Sequence, residues 1–151
     1  MSYDPFFYPL DSIGQWNKLY GKRGFYQYQS VVPPAAAASA TAEMLKTIAQ
    51  AGEGSFLAVL KTFGNVPSPG LLSFPMPGTT LALDFANRGG STFLLLDKLD
   101  VIVREAGGRL YPAKDGRLPP AMFKAGFPAL DHFRAHIDPG MSSTFWRRMN
   151  V

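Results

Sequence analysis

The chain has no cysteine and only two histidines among its 151 residues. The lack of cysteine excludes a disulfide framework and a thiolate metal site. No apolar run approaches the roughly 20 residues that a membrane-spanning helix needs. The N-terminus, MSYDPFFYPL, lacks the basic start and apolar stretch of a signal peptide. We therefore expect a soluble, cytoplasmic protein, with membrane association left open.

Clustered positive charge is also lacking, although the formal net charge is +4. The Lys and Arg residues are scattered, and the only adjacent pairs are Lys22–Arg23 and Arg147–Arg148. A nucleic-acid-binding surface would need clustering on one face, so this class is excluded. Hydrophobic residues, in contrast, make up 46% of the chain, which is enough to build the core of one folded domain.

The order of hydrophobic patterns predicts strand, helix, strand, strand, helix, strand, which is the ferredoxin-like (split βαβ) unit of an α+β fold. We divide the chain into an aromatic N-terminal arm (1–23), a βαββαβ sheet domain (24–118) and a C-terminal helical segment of the same domain (119–151). Ser91 is predicted to cap the second helix. The predicted strands are 24–33, 55–64, 79–87 and 109–113, and the predicted helices begin after Pro34 and at Ser91.

Right-handed crossovers would place both helices on one face of the antiparallel sheet and leave the other face open. The alternation of side chains in strands then assigns residues to each face. The face predicted to form the core carries Tyr26, Tyr28, Val32, Phe56, Ala58, Leu60, Leu81, Leu83, Phe85 and Leu110. The open face, which we call the platform, is predicted to carry Phe25, Gln27, Gln29, Val59, Lys61, Thr80, Ala82, Asp84, Arg109 and Tyr111.

The stretch RLYPAKDGR (109–117) places a phenol and a cation close together at the end of the last strand. If Tyr111 lies on the platform, Pro112 bends the chain so that Lys114 reaches the same surface and meets an anion or a partly negative oxygen. Alternatively, Lys114 pairs with Asp115 or Asp84 on a wet surface, which is the commoner case for a single lysine. Spacing alone leaves both open.

Four stretches in this order resemble the C-terminal, substrate-binding domain of FAD-linked oxidoreductases of the vanillyl-alcohol oxidase superfamily. The resemblance is greatest to the decaprenylphosphoryl-β-D-ribose 2-oxidase branch, which serves cell-wall arabinan synthesis, and more distant to sugar-lactone oxidases such as D-arabinono-1,4-lactone oxidase. It covers nearly the whole chain. The stretches are PFFYPLDSIGQWNKLYGKRGFYQYQSVVP, SFLAVLKTFG, GLLSFPMPGTTLALDFAN and EAGGRLYPAKDGR.

The resemblance implies that this domain covers a flavin and helps to oxidise a secondary alcohol of a sugar. It implies substrate contacts for Gln27, Gln29, Lys61 and Asp84. It further implies a flavin contact for Tyr111, and a catalytic role for Lys114 in contact with both substrate and FAD. Some relatives carry Cys at the position of Ala82, which affects the shape of the pocket and leaves the exact substrate open.

The family's FAD-binding domain has no counterpart in this sequence, which contains no Gly-rich pyrophosphate loop. We therefore expect the chain to be a truncated domain or to pair with a separate FAD-binding domain or subunit, and to be colourless and inactive alone. The expected ligand is a sugar or polyprenyl-phosphate sugar. An uncovered platform would also favour homo-oligomers.

Two other motifs have simpler interpretations. His132 and His136 could ligate zinc from one helix face, but no third ligand or HExxH motif accompanies them, so packed or surface histidines are favoured and no metal is predicted. FWRRMN (145–150) could form a basic aromatic patch for a membrane, although a packed C-terminal helix is favoured. The alternative to an oxidase domain is a non-catalytic ferredoxin-like module that binds a small ligand or protein.

Overall fold

The sheet of the predicted βαββαβ unit is present in the computed structural model, which describes residues 2–8, 11–114 and 116–149. Its four strands are antiparallel and follow the spatial order β2-β3-β1-β4. This order confirms the ferredoxin-like α+β prediction. The strands are β1 (Phe25–Val32), β2 (Ala58–Phe63), β3 (Gly78–Ala86) and β4 (Arg109–Leu110).

Two longer helices and three short C-terminal helices enclose the core, while a further short helix lies in the N-terminal arm. Short 3₁₀ turns occupy Trp16–Tyr20, Pro34–Ala36 and Pro112–Lys114. Within the described ranges, the helices are too short to span a bilayer. The helices are α1 (Tyr3–Phe7), α2 (Ala37–Gln50), α3 (Gly90–Glu105), α4 (Pro120–Gly126), α5 (Leu130–Arg134) and α6 (Thr144–Met149).

The core lies between one face of the sheet and the helices α2 and α3. Apolar residues spaced three or four apart give each of these helices one buried stripe. Residues of the C-terminal helices join the same cluster. The cluster includes Tyr28, Val32, Leu81, Leu83, Phe85 and Leu110 from the sheet, Met44, Ile48, Leu96 and Leu99 from the helices, and Phe123, Phe127 and Met149 from the C-terminal segment.

The prediction that Phe56, Ala58 and Leu60 belong to the core is wrong. Phe56 and Leu60 are 68% and 59% exposed, and Ala58 is also exposed. β2 is an edge strand that pairs only with β3. Residues on its helix side are exposed because α2 and α3 pack over the inner strands and leave the edge uncovered. For Ala58 and Leu60, alternation assigned the side of the sheet correctly but could not show how far the helices extend. Phe56 lies before β2, and its ring contacts Tyr20 at 5.6 Å between centroids.

The second predicted helix begins one residue earlier than expected, so Ser91 is not its N-cap. α3 begins at Gly90. Instead, Thr92 Oγ1 accepts a hydrogen bond from the Arg88 backbone N–H (2.9 Å) and donates one to the Ala86 carbonyl (3.0 Å). Asn87 Oδ1 accepts from the Gly89 N–H at 3.0 Å. Thr92 and Asn87 therefore stabilise the strand-to-helix turn, for which the sequence had predicted a Ser91 cap alone.

The last strand is also shorter than the predicted range 109–113. β4 contains only Arg109 and Leu110, which pair with Val31 and Ser30 of β1. A 3₁₀ turn, Pro112–Lys114, follows immediately. Proline has no N–H and a fixed φ, so it ends the strand and begins the turn. As a result, the strand end turns at the point where the sequence predicted a bend.

Candidate functional site

The register of the sheet brings the predicted platform residues to one face. Gln27 of β1 lies opposite Asp84, and Gln29 lies opposite Ala82 of β3. Ala82 in turn pairs with Val59 of β2. Residues that pair directly in an antiparallel sheet point to the same face. The polar side chains that were predicted to share a surface therefore do so, on the face opposite the helices.

Lys114 reaches the platform from the 3₁₀ turn. Its Nζ donates a hydrogen bond to Gln27 Oε1 at 3.0 Å. The turn is closed by the Lys114 backbone N–H, which donates to the Tyr111 carbonyl at 3.0 Å. Of the two arrangements left open by the sequence, the geometry favours the one in which the lysine curls over the sheet. The alternative partner Asp115 lies outside the described residues.

The two glutamine amides of β1 use opposite ends in their hydrogen bonds. Gln27 uses its oxygen to accept from Lys114, and within the described residues its NH₂ group is left as a donor. Gln29 uses its Nε2 to donate to Thr80 Oγ1 at 3.2 Å, so its oxygen remains as an acceptor. The platform therefore presents a cation and an amide donor next to an amide acceptor. Such a set matches a ligand that carries hydroxyl groups, since each hydroxyl both donates and accepts.

Asp84 belongs to the platform by register, but it is not open to solvent. It is 2% exposed, and Tyr20 donates to its Oδ2 at 3.2 Å. The Tyr20 ring stacks on Phe25 at 4.2 Å between centroids. Burial, together with the neighbouring carboxylate, raises the pKa of Tyr20 to about 12. The N-terminal arm therefore closes this end of the platform, and a ligand would meet Asp84 only if Tyr20 moved.

The other end of the platform is closed by the proline-rich loop between β2 and β3. Phe74 of this loop is buried and stacks on the Tyr111 ring at 4.5 Å. The Arg109 guanidinium anchors the loop by donating to the carbonyls of Phe74 and Pro75, each at 2.9 Å. Its Nη1 also donates to the Gly126 carbonyl at 3.2 Å. Tyr111 therefore has one neighbour, Phe74, that the sequence did not predict.

Lys61 is the most remote of the predicted site residues. It lies on the platform face of the edge strand β2, opposite Thr80, and its ammonium is 5.9 Å from the centroid of the Phe63 ring. Two strand spacings of about 4.8 Å separate it from β1. The structure thus brings Gln27, Gln29 and Lys114 together, with Tyr111 beside them, and leaves Lys61 at the margin.

A second polar cluster, which sequence reasoning missed, lies on the helix side of β1. Tyr28 donates to Asp100 Oδ1 at 3.1 Å, and Arg117 donates to Asp100 Oδ2 at 2.7 Å. Arg117 also pairs with Asp97. Burial raises the pKa of Tyr28 well above its ordinary value and raises that of Asp100, although Arg117 opposes the second shift. The spacing of Asp97 and Asp100 on one helix face was the available signal.

The two histidines form no metal centre with other ligands in the described ranges. The rings of His132 and His136 lie 5.2 Å apart. No group of three or more His, Cys, Asp or Glu side chains in the part of the chain described here could hold a metal ion. The side chains predicted to bind substrate and flavin are instead those of the platform.

Comparison with known proteins identifies relatives of nearly the whole chain. Decaprenylphosphoryl-beta-D-ribose oxidase of Mycolicibacterium smegmatis is 41% identical over 154 aligned residues, which cover 97% of this chain and 32% of that protein. An uncharacterized protein in the mprA 5′ region of Streptomyces coelicolor is 42% identical over 113 residues, covering 72% of this chain and 30% of its own length. No family model matches the chain.

The chain spans about a third of the length of these curated relatives. An identity of 41% across almost all of this chain is consistent with one domain of a larger oxidase. The likeness that the sequence motifs predicted is confirmed: over nearly its whole length, this chain is homologous to part of decaprenylphosphoryl-β-D-ribose oxidase.

Proposed function

We propose that this chain is the substrate-binding, flavin-covering domain of an FAD-dependent oxidoreductase that oxidises a secondary alcohol of a sugar linked to a polyprenyl phosphate. The homology to an oxidase supports the reaction class. The observation that carries the assignment of the site is the contact between Lys114 Nζ and Gln27 Oε1 at 3.0 Å, on the face opposite the core. This contact places a cation over a sheet surface that is open between its two covered ends.

The open part of the platform is suited to a planar ring with polar edges. It is a sheet surface centred on Gln29 and the small, half-buried Ala82, with the amide of Gln27 and the ammonium of Lys114 at its margin. When bound, FAD would accept the hydride from the alcohol carbon. Tyr111 and Lys114 would hold the ring edge, while the phosphates would be held mainly by another domain or subunit.

The platform residues have distinct roles in this proposal. Lys114 and the NH₂ of Gln27 donate to the alcohol oxygen as negative charge develops on it, which is the preorganised electrostatic stabilisation that accelerates such steps. The free oxygen of Gln29 accepts from a neighbouring hydroxyl and orients the sugar ring. Lys61, at the margin of the platform, meets the phosphate of the substrate. The reaction leaves a ketone once the hydroxyl proton passes to a base.

Asp84 needs a different role from direct substrate binding. Its carboxylate is held by Tyr20 and is almost fully buried. We propose that Asp84 fixes the N-terminal arm across the end of the platform, so that it shapes the site and meets the sugar only after Tyr20 is displaced. The partner in this proposal is the FAD-binding domain or subunit, which would cover the platform. A second copy of the chain would compete for the same surface.

The test is reconstitution with a candidate FAD-binding polypeptide. The chain, the partner, FAD and a polyprenyl-phosphate ribose are mixed, and loss of flavin absorbance is followed without oxygen. We expect substrate-dependent bleaching, and we expect Lys114→Met to slow it by about a hundredfold or more because one preorganised donor is lost. Lys46→Met, on the exposed side of α2, is the matched control and should bleach at the normal rate.

Two results would contradict the proposal. Normal bleaching by the Lys114→Met complex would remove the role of this lysine. Binding of the sugar to the chain without any complex with the flavin-bearing partner would instead favour the non-catalytic ferredoxin-like module.

A further inference from the structure

The N-terminal helix α1 and the residue after it carry four exposed aromatic side chains, which we call the aromatic tip. Tyr3, Phe6, Phe7 and Tyr8 are 64%, 61%, 58% and 51% exposed. Their rings contact one another, with centroids 4.7 Å apart for Tyr3 and Phe7 and 4.9 Å apart for Phe6 and Phe7. Contiguous exposed aromatic groups of this kind mark an interaction surface rather than an ordinary solvent face.

The part of the arm nearer to β1 is fastened to the sheet. Tyr20 is the anchor, since its ring stacks on Phe25 and its hydroxyl is bound to Asp84. Around this anchor, the side chains of Lys18, Lys22 and Arg23 are exposed. The arm therefore joins an exposed aromatic cluster to three cations that are close in sequence, beside the covered end of the platform.

This combination fits the surface of an anionic bilayer. Aromatic side chains are enriched at the membrane–water interface, and Lys or Arg residues near it are attracted to anionic headgroups. A protein partner is less suited to the same surface because lysine is depleted in the cores of protein interfaces.

The proposed substrate supplies an independent reason for such a contact. The relative is named for a decaprenylphosphoryl sugar, and withdrawing a chain of that length from a bilayer would expose many buried CH₂ groups to water. The lipid part of the substrate therefore stays in the membrane, and the enzyme has to reach the headgroup there. Among the described residues, no helix is long and apolar enough to span a bilayer.

We propose that the aromatic tip, with Lys18, Lys22 and Arg23, binds the surface of an anionic lipid bilayer and brings the platform to a lipid-linked sugar. The need for a membrane contact rests on the proposed function, whereas the binding itself is a property of this chain. Membrane binding and oxidase function can therefore be tested, and disproved, independently of each other.

The experiment measures sedimentation of the 151-residue chain with vesicles of phosphatidylcholine containing a minority of phosphatidylglycerol. We expect the chain to bind these vesicles and to bind pure phosphatidylcholine much more weakly. Phe6→Ser combined with Phe7→Ser should lower the partition coefficient about tenfold or more, because the apolar anchors are lost. Lys18→Gln and Lys22→Gln should each lower it about fivefold, an effect that salt should reproduce.

The matched control combines Val66→Ser and Lys46→Gln, which replace an exposed apolar residue and a lysine outside the arm. It should bind as the unaltered chain does. The proposal is overturned if the unaltered chain stays in the supernatant, or if the Phe6→Ser/Phe7→Ser variant binds equally well.

Two further outcomes would identify another occupant of the tip. Concentration-dependent dimers that the Phe6→Ser/Phe7→Ser variant abolishes would assign the tip to a second copy of the chain. Loss of vesicle binding in the reconstituted flavin complex would assign it to the partner. Vesicle binding needs neither flavin nor sugar. If the chain fails to bind vesicles, the proposed oxidase function is unaffected. If the reconstituted complex fails to bleach, the proposed membrane contact is unaffected.

Discussion

Two polar clusters lie on opposite faces of β1, and neighbouring residues of the same strand supply them. Tyr28 points to the helix side, where its hydroxyl donates to Asp100, and Arg117 donates to the same carboxylate. Gln27 and Gln29 point to the other side, where, within the described residues, Gln27 bonds through its oxygen and Gln29 through its nitrogen. The helix-side cluster is closed and buried, while the platform is open and only partly satisfied. This difference separates a structural network from a surface prepared for a ligand.

Breaking the helix-side cluster should cost more stability than breaking the contacts on the platform. A buried ion pair is costly to break because removing one partner leaves an uncompensated charge in a poorly solvated place. A half-exposed contact such as that between Lys114 and Gln27 is replaced by water at little cost. The helix-side cluster should therefore control stability, whereas the platform should control binding and catalysis.

Arg117→Ala is expected to have the largest effect on stability. It should lower the free energy of unfolding by about 3–5 kcal/mol, because Asp100 would remain buried without its cation. Urea unfolding measures this change. Burial raises the Asp100 pKa above 3.8 and Arg117 opposes that shift, so the pKa should rise further in the variant.

A carboxyl whose folded pKa is raised contributes stability below its unfolded pKa and loses it as the pH rises through the folded value. The deficit of Arg117→Ala should therefore shrink as the pH falls towards 3.8. Lys46→Ala, which removes an exposed pair with Glu43, should cost less than about 1 kcal/mol. Equal losses in the two variants would contradict the distinction between a buried and an exposed cluster.

Tyr20→Phe is expected to have an intermediate effect. At neutral pH it should cost about 1–3 kcal/mol, because the buried Asp84 loses its donor. The Tyr20 pKa is raised from 10.0 to about 12 in the folded chain. Its contribution should be complete below pH 10, then fall as the pH rises through about 12.

Urea unfolding of both proteins across this alkaline range measures the difference. The gap between the unaltered chain and Tyr20→Phe should narrow as the pH rises. A gap that stays constant, or widens, would show that the phenol does not titrate beside Asp84 as the structure implies.

Lys114→Met is expected to have the smallest effect on stability. The change should remain under about 1 kcal/mol, because water can replace the ammonium beside Gln27. Thermal unfolding of the chain alone measures it. Together with the slow bleaching expected for this variant in the reconstituted complex, a small change would separate function from stability. A loss as large as that of Arg117→Ala would place Lys114 among the structural residues instead.

Much of the fold followed from local patterns. Alternation in β1 and β3, helical spacing in α2 and α3, and the order of these elements were enough to predict the ferredoxin-like sheet and its two faces. The errors occurred where burial depends on neighbours distant in sequence. Phe56 and Leu60 are apolar residues with the alternation of a core strand, yet the helices do not reach them.

The candidate site was predicted only in part, because local patterns fix some of its contacts and neighbours distant in sequence fix the others. The meeting of Gln27 and Lys114 could be anticipated because alternation sets the direction of one and Pro112 bends the chain beside the other. Tyr20, Thr80 and Arg109 were not predicted as partners of the site residues. Each of their contacts spans more than thirty positions in sequence or depends on a loop without regular structure.

The sequence by itself determined the order of the strands and helices, the sheet face that the side chains of β1 and β3 take, and the likeness to an oxidase. These properties depend on periods of a few residues and on the order of motifs. Only the tertiary structure decided that Tyr20 covers Asp84, that Phe74 stacks on Tyr111, and that β2 remains an exposed edge. Those outcomes depend on which segments compete to cover the same surface, and that competition is settled by packing in three dimensions.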